Sequence, residues 1–323
     1  MFSRSLSSLA ISESNLSALR RAGFDSADDL GSLTAEQLSE ELKIPTFLCE
    51  EILRASRKPL SSLTQPAATL LNSARSVFSV PEPMKNLLDR EGLKRGHILE
   101  LSGPPGSPKE TALLEILRSA VLSEEDVIFL DTQNMTIPSR IRTILKEVPG
   151  SLDRVHYIKC FSLPELMGTI YCISDLLDEH PKTSLLVLNT FSFLFHATPI
   201  NSTSKASLFE QIKAILAKIC ASRHLTVVAT VQLATKMIGV DGAAANFDTA
   251  KKAIMVPQLG DTYLPSSRSH RLIFVPTSPT TGIIRLLSSP SRPATRSQIE
   301  LVEEPYEMVN GVLCKPTGGL SAQ

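Results

Sequence analysis

The sequence predicts an α/β protein with a mostly parallel central sheet, preceded by a small helical N-terminal domain. Three observations carry this. From about residue 80, short apolar runs with strand character alternate with longer runs of helical period, the pattern of βαβ units. A glycine-rich loop, Gly103 to Lys109, sits between one such strand and the helix after it. Residues 13–57 instead show only helical periodicity, punctuated by capping residues and tight turns.

In the N-terminal part, Leu16 and Leu19 mark a helix that Gly23 ends. Ser26 and Asp29 open a second before Leu30. Thr34 and Gln37 form a T-x-x-Q capping box ahead of Leu38 and Leu42. Pro45 precedes a last helix through Ile52 and Leu53. Residues 58–80 hold Pro59, Ser61, Ser62, Pro66, Ser73 and Ser76. They read as a linker with one short helix at 67–74. Beyond it, strands are expected at 97–102, 126–131, 156–160, 184–189, 225–230 and 271–276. Helices are expected at 111–122, 163–177 and 207–221. Strands at 283–287 and 299–302 follow without a long helix, which suggests an antiparallel extension. The division is 1–57 helical domain, 58–80 linker, 81–303 core and 304–323 tail.

The chain has 323 residues, 33 basic and 33 acidic, so its formal net charge is zero. A uniformly basic nucleic-acid binder is excluded, and charge has to be read by segment. Residues 1–60 carry nine acidic side chains against seven basic, a balance of −2, which favours protein contact over phosphate contact there. Between Asp261 and Glu300 no acidic residue occurs, while Arg268, Arg271, Arg285, Arg292 and Arg296 give +5. That stretch is either a phosphate or acidic-partner surface or a solvated basic segment. The five cysteines have no zinc spacing and an odd count, which fits core filler in a reducing compartment. No apolar stretch is long enough to span a bilayer, and no secretory signal is evident.

The most informative segment is Gly103-Pro104-Pro105-Gly106-Ser107-Pro108-Lys109-Glu110-Thr111. Its context, strand before and helix after, is that of the phosphate-binding pattern G-x-x-x-x-G-K-[ST]. Gly103 and Lys109 have the right spacing. Pro108 stands where the second glycine belongs and lacks an N–H to aim at phosphate. Glu110 stands where a hydroxyl would bind Mg²⁺, and Thr111 comes one residue late. Ser107, Pro108 and Glu110 also fit N-cap, N1 and N3 of a capped helix. Two readings stay open: a capped, nucleotide-poor helix, or a loop that still holds nucleotide through Gly103, Gly106, Lys109, Glu110 and Thr111.

The order of strand, loop, Asp131-Thr132-Gln133, Leu188-Asn189 and Thr230-Val231-Gln232 resembles the RecA-like ATPase core of the eukaryotic DNA strand-exchange recombinases. Within that family it looks most like the mediator paralogues, closest to the C paralogue. The segments 185–195, 230–236 and 256–261 resemble it most, and the likeness spans roughly 13–303. The resemblance implies a RecA-like core. It matches Asn189 to the Mg²⁺-holding Asp of the family and Gln133 to its water-activating Glu. Gln232 matches the Gln that couples nucleotide state to a DNA-facing loop. Lys109 and Arg140 match basic family positions. It further implies that 236–252 is a loop facing single-stranded DNA through Lys236, Lys251 and Lys252, with a solvated flexible loop as the alternative; the charge of the acid-free stretch adds Arg268 and Arg271 as candidate phosphate contacts.

Three altered positions in one hydrolytic site, Glu110, Gln133 and Asn189, point to a pseudo-ATPase with no catalytic residue, no metal ligand, and no cofactor or only weakly bound ATP/Mg. The implied role is a non-catalytic mediator or complex subunit in homologous recombination. It would assist recombinase filament assembly on single-stranded DNA, in a nuclear hetero-oligomer with the recombinase and its other paralogues. An active DNA-dependent ATPase and a scaffold without DNA contact are the alternatives.

Overall fold

The computed structural model describes residues 6, 9, 11–24, 27–31, 33–56, 77–88, 92–133, 136, 138–147, 150–239, 249, 251–290 and 301–316. Residues 58–76 of the linker expected at 58–80, with its helix at 67–74, together with Ser26, Arg292 and Arg296, lie outside these residues.

The N-terminal part contains α1 (Glu13–Arg21), α2 (Ala35–Leu42) and α3 (Thr46–Ser56). Ser12 caps α1 by accepting from the Asn15 N–H. The capping box of α2 forms as the residues predict: Gln37 N donates to Thr34 Oγ1 at 3.3 Å, and Thr34 N to Gln37 Oε1 at 2.9 Å. The helix expected before Leu30 is only a 3₁₀ turn, Asp28–Leu30. Leu16, Leu19, Phe24, Leu30, Leu38 and Ile52 close the small core of this lobe.

The linker's last residues join the core. Among them β1 (Val77–Phe78) pairs with β2 (Leu93–Lys94), and Phe78 is buried. A ten-stranded sheet forms the rest. Its parallel centre contains β3 (Ile98–Gly103), β4 (Asp126–Asp131), β5 (Val155–Lys159), β6 (Thr183–Asn189), β7 (Thr226–Ile238) and β9 (Ser269–Pro276), in spatial order β9-β3-β7-β6-β4-β5. These strands read as near-continuous apolar runs because helices cover both faces of the sheet. On one face α4 (Lys109–Leu122) contributes Leu113, Ile116 and Leu117. On the other face α5 (Leu163–Tyr171) and the long α6 (Ser202–Ser222) contribute Leu166, Ile212 and Leu216. The helix expected at 163–177 is broken at Cys172 into α5 and a shorter helix, Ile173–Glu179.

Two features extend the sheet beyond the expected bounds. β7 runs on past the core and pairs with antiparallel β8 (Lys252–Pro257), so the stretch expected to be a loop at 236–252 begins and ends as a hairpin. At the other edge, β10 (Thr281–Ser288), β11 (Glu303–Val309) and β12 (Val312–Cys314) add antiparallel strands. Of the residues set aside as a tail, 304–309 and 312–314 are thus strands of the sheet, whereas 301–302 of the strand expected at 299–302 precede β11 without being part of it. Tyr306 is buried there, its ring edge-on to Phe274 at 5.7 Å.

The helical lobe docks on the core through polar and close-packed contacts. Gln37 Nε2 donates to Pro290 O at 3.0 Å, and Ser267 Oγ to Glu41 Oε1 at 2.6 Å. Burial raises the Glu41 carboxyl above its ordinary pKa, and Ser267 and Arg268 oppose that shift. Gly23, at φ +85°, lies so close to α6 that a Cβ would fall 2.4 Å from Lys218 Cα. Gly23→Ala should therefore push the lobe away from α6, lowering stability by about 1–3 kcal/mol in urea denaturation and exposing the lobe to limited proteolysis. Gly106→Ala is the control. Its φ is +82° with nothing within 4 Å of a Cβ, so only the left-handed backbone cost of about 1 kcal/mol applies.

Candidate functional site

Strand register brings the chemical groups together. Gly103 at the end of β3 is opposite Gln232 of β7, and Asp131 at the end of β4 is opposite Asn189 of β6. The carboxyl ends of parallel strands are where open α/β sheets bind ligands. Here they border a cleft of about 700 Å³, whose lining includes Lys109, Glu110, Gln133, Arg140, Asn189 and Gln232.

The loop differs from the expected capped helix. α4 begins at Lys109, with Pro108 in the flanking position and no side-chain cap bond. A tight turn, Ser107 N to Pro104 O at 3.2 Å, draws the Ser107 hydroxyl onto the same carbonyl at 2.8 Å. Ser107 therefore does not cap α4, and Glu110 turns the other way. Three of the six residues from Gly103 to Pro108 are prolines without an N–H, and the loop offers carbonyls inward. Lys109 Nζ fills that space, donating to Gly103 O at 3.2 Å, Pro104 O at 2.9 Å and Ser107 Oγ at 3.3 Å. Burial lowers the pKa of this ammonium, and neighbouring Glu110 opposes the shift.

Glu110 takes part in a chain of polar contacts across the cleft floor. Its two oxygens accept from Thr136 Oγ1 and from the Arg140 guanidinium. Asn189 Nδ2 donates to Thr136 Oγ1 at 3.0 Å, Thr230 Oγ1 donates to Asn189 Oδ1 at 2.9 Å, and the Thr190 N–H donates to Thr230 Oγ1 at 2.7 Å. Asp131 is fully buried and accepts from Gln133 N, Thr136 N and the Tyr157 hydroxyl. Burial, with the Asp131 contact, pushes the Tyr157 phenol well above its ordinary pKa. Gln133 Oε1 accepts from Gln232 Nε2 at 3.1 Å. Gln232 is held in turn by Ser192 and Gln258 at the root of the β7–β8 hairpin.

This donor set does not suit a magnesium nucleotide. Mg²⁺ requires near-octahedral oxygen ligation, usually with one or two carboxylates. The Glu110 oxygens are taken by Thr136 and Arg140, those of Asp131 by two N–H groups and a phenol, and Asn189 carries no charge. Among the described residues no cluster of three His, Cys, Asp or Glu could hold a metal. Gln133 cannot accept a proton from water as a carboxylate would. Thr111 lines the cleft beside Arg140. Thr136 and Tyr157 were not foreseen from the sequence, since nothing in their local spacing marks them, and Thr230 stood there only as part of the segment Thr230-Val231-Gln232.

The residues expected to face DNA divide into two groups. Lys236, Lys251 and Lys252 are exposed on the outer part of the β7–β8 hairpin, and residues 240–248 between them lie outside the described set. Arg268 and Arg271 point inward, contrary to the expectation. Arg268 is ion-paired with Asp29 at 3.5 Å and lies over the Phe24 ring. Arg271 reaches the fully buried Glu100 at 2.9 Å and also donates to Gly260 O, while Tyr263 donates its hydroxyl to Glu100. Arg285 is paired with Glu303. The three described arginines of the acid-free stretch are thus paired with acids from elsewhere in the chain.

No protein-family model matches the chain. Over 319 aligned residues it is 21% identical to "DNA repair protein RAD51 homolog 3" of Cricetulus griseus, covering 84% of this chain and 83% of that protein. It is 24% identical over 159 residues to "DNA repair and recombination protein RadB" of Methanosphaera stadtmanae, 48% of this chain and 68% of that one. It is 32% identical over 116 residues to "DNA repair protein rhp55" of Schizosaccharomyces pombe, about a third of each. These similarities relate the chain, distantly, to the RecA/Rad51-like recombinases, whose α/β fold it shares. No helix among the described residues is long and apolar enough to cross a membrane.

The inward arginine supplies a test. Arg271→Ala leaves Glu100 buried without its cation and should cost about 3–5 kcal/mol in chemical denaturation. A solvent-facing phosphate contact at this position would change stability by only about 0.5 kcal/mol.

Proposed function

We propose that this protein is a RecA-like factor of homologous-recombination DNA repair that does not hydrolyse ATP. It acts as a mediator or complex subunit beside a recombinase and its paralogues as they assemble on single-stranded DNA. The names of its relatives support the setting in recombination, and their eukaryotic members support a nuclear one. The observation that carries the non-catalytic reading is at the strand ends. Gln133 and Asn189 are amides there, and each is hydrogen-bonded to protein groups. Among the described lining residues, the cleft therefore contains no carboxylate free to activate water or hold a metal.

Purified protein with Mg-ATP and single-stranded DNA tests this. No turnover above background is expected, and Lys109→Ala should leave that result unchanged. Turnover that Lys109→Ala abolishes would overturn the reading.

The exposed Lys236, Lys251 and Lys252 support phosphate contact by the β7–β8 hairpin. Replacing all three with Ala should weaken single-stranded DNA binding and reduce the slope of log affinity against log salt by about 2, at roughly 0.7 per phosphate. The internal pairing of Arg268 and Arg271 favours the second reading, a scaffold without DNA contact. An absence of binding at low salt, alone or with partners, would select it.

A further inference from the structure

We infer that the cleft takes a nucleoside di- or triphosphate free of divalent cation, and that Mg²⁺ weakens this binding rather than supporting it. The inference rests on the non-hydrolysing reading above and specifies what its site would bind.

The charges lining the cleft set the sign. Lys109, Arg140 and Glu110 are the only titratable side chains among its described lining residues, a balance of +1. Glu110 is already engaged by Arg140 and Thr136. The guanidinium of Arg140 is nearly half exposed, at 44%, and directs only one nitrogen to that carboxylate, so donors remain for a phosphate oxygen. A metal-free nucleotide brings anionic charge to two cations. A metal-complexed one brings two fewer negative charges to the same two cations, and its metal finds no carboxylate free to complete its shell. Freeing Glu110 to ligate the metal would break its pair with Arg140 and unseat Thr136. A nucleotide that carries its metal is therefore the poorer ligand here.

The shape of the site identifies a nucleotide rather than a bare phosphate chain. A second cleft of about 430 Å³ adjoins the first and shares Thr111 and Arg140 with it. Its other walls include Leu114, Ile144, Thr143 and Gly311, without a further charged side chain. A ligand with an anionic end and a flat, weakly polar end would span both, with Arg140 at the junction. Ligand sites of this kind combine mostly apolar walls with a few convergent polar groups.

The test is a titration with fluorescent ADP and ATP analogues, once in excess EDTA and once in Mg²⁺, at matched ionic strength. Saturable binding in EDTA is expected, weaker by severalfold in Mg²⁺, with inorganic tripolyphosphate a poorer competitor than ADP. Arg140→Ala should reduce affinity by about tenfold, the worth of one charge-assisted hydrogen bond, with the circular-dichroism spectrum unchanged. Binding that requires Mg²⁺, or no binding in EDTA at millimolar nucleotide, would overturn the inference. Neither result touches the non-hydrolysing reading, which fails only if the wild-type protein turns over ATP. The double variant Glu110→Thr/Asn189→Asp restores a hydroxyl beside Lys109 and a carboxylate at the strand end. It should bind more tightly with Mg²⁺ than without, and a double variant still weakened by Mg²⁺ would contradict the role given to these two residues.

Discussion

The Thr136 hydroxyl holds the cleft floor together. It donates to Glu110 and accepts from Asn189, while its backbone N–H donates to Asp131. One small side chain thus ties the first turn of α4 to the ends of β4 and β6. A hydroxyl has a single proton, so it can satisfy one carboxylate. Of the two residues on either side of it, one is a carboxylate and the other an amide that supplies its own donor. This assignment of donors and acceptors accounts for Glu110 and Asn189 together, where each alone would look like an isolated replacement.

The electrostatic consequence is that the cleft's lining carboxylate, Glu110, sits on the helix side and has an arginine partner, while the strand-end residues lining it, Gln133, Asn189 and Gln232, are uncharged. Lys109 satisfies loop carbonyls, and Gln232 donates to Gln133. A RecA-like scaffold in this condition keeps the topology that orients strand ends and a hairpin, with Glu110, Thr136 and Asn189 paired to one another or to Arg140 and Thr230. Buried polar networks of this kind contribute to a unique arrangement when every member is satisfied.

The sheet was legible because its central strands are buried on both faces, so 97–102, 126–131 and 184–189 stand out as apolar runs against their surroundings. The capping box at Thr34 and Gln37 was legible because it is local. Elsewhere, distance along the chain decided. Arg271 lies in an acid-free stretch, yet its partner Glu100 is 171 residues away, beyond the reach of segmental charge counting. Ser107 and Glu110 satisfy the local capping pattern, but Pro104 O claims one and Thr136 with Arg140 claims the other. Residues 303–309 resemble a charged tail around Pro305. They form a strand because Tyr306 packs on Phe274 and Leu313 of the next strand is buried. In the site, the positions of Lys109, Gln133, Asn189 and Gln232 followed from order along the chain. The contacts that give them meaning arise only when the strand ends converge.

The most direct measurement is the coupling between Glu110 and Asn189 in unfolding free energy. In the wild-type background, Asn189→Asp removes a donor to Thr136 and places a second carboxylate on its hydroxyl, a loss of about 1–3 kcal/mol. In a Glu110→Gln background the Thr136 proton is free for the carboxylate introduced at position 189, and most of that loss should disappear. A double-mutant cycle reads the difference. An equal cost of Asn189→Asp in both backgrounds would contradict the account, because the two side chains would then not share the Thr136 hydroxyl.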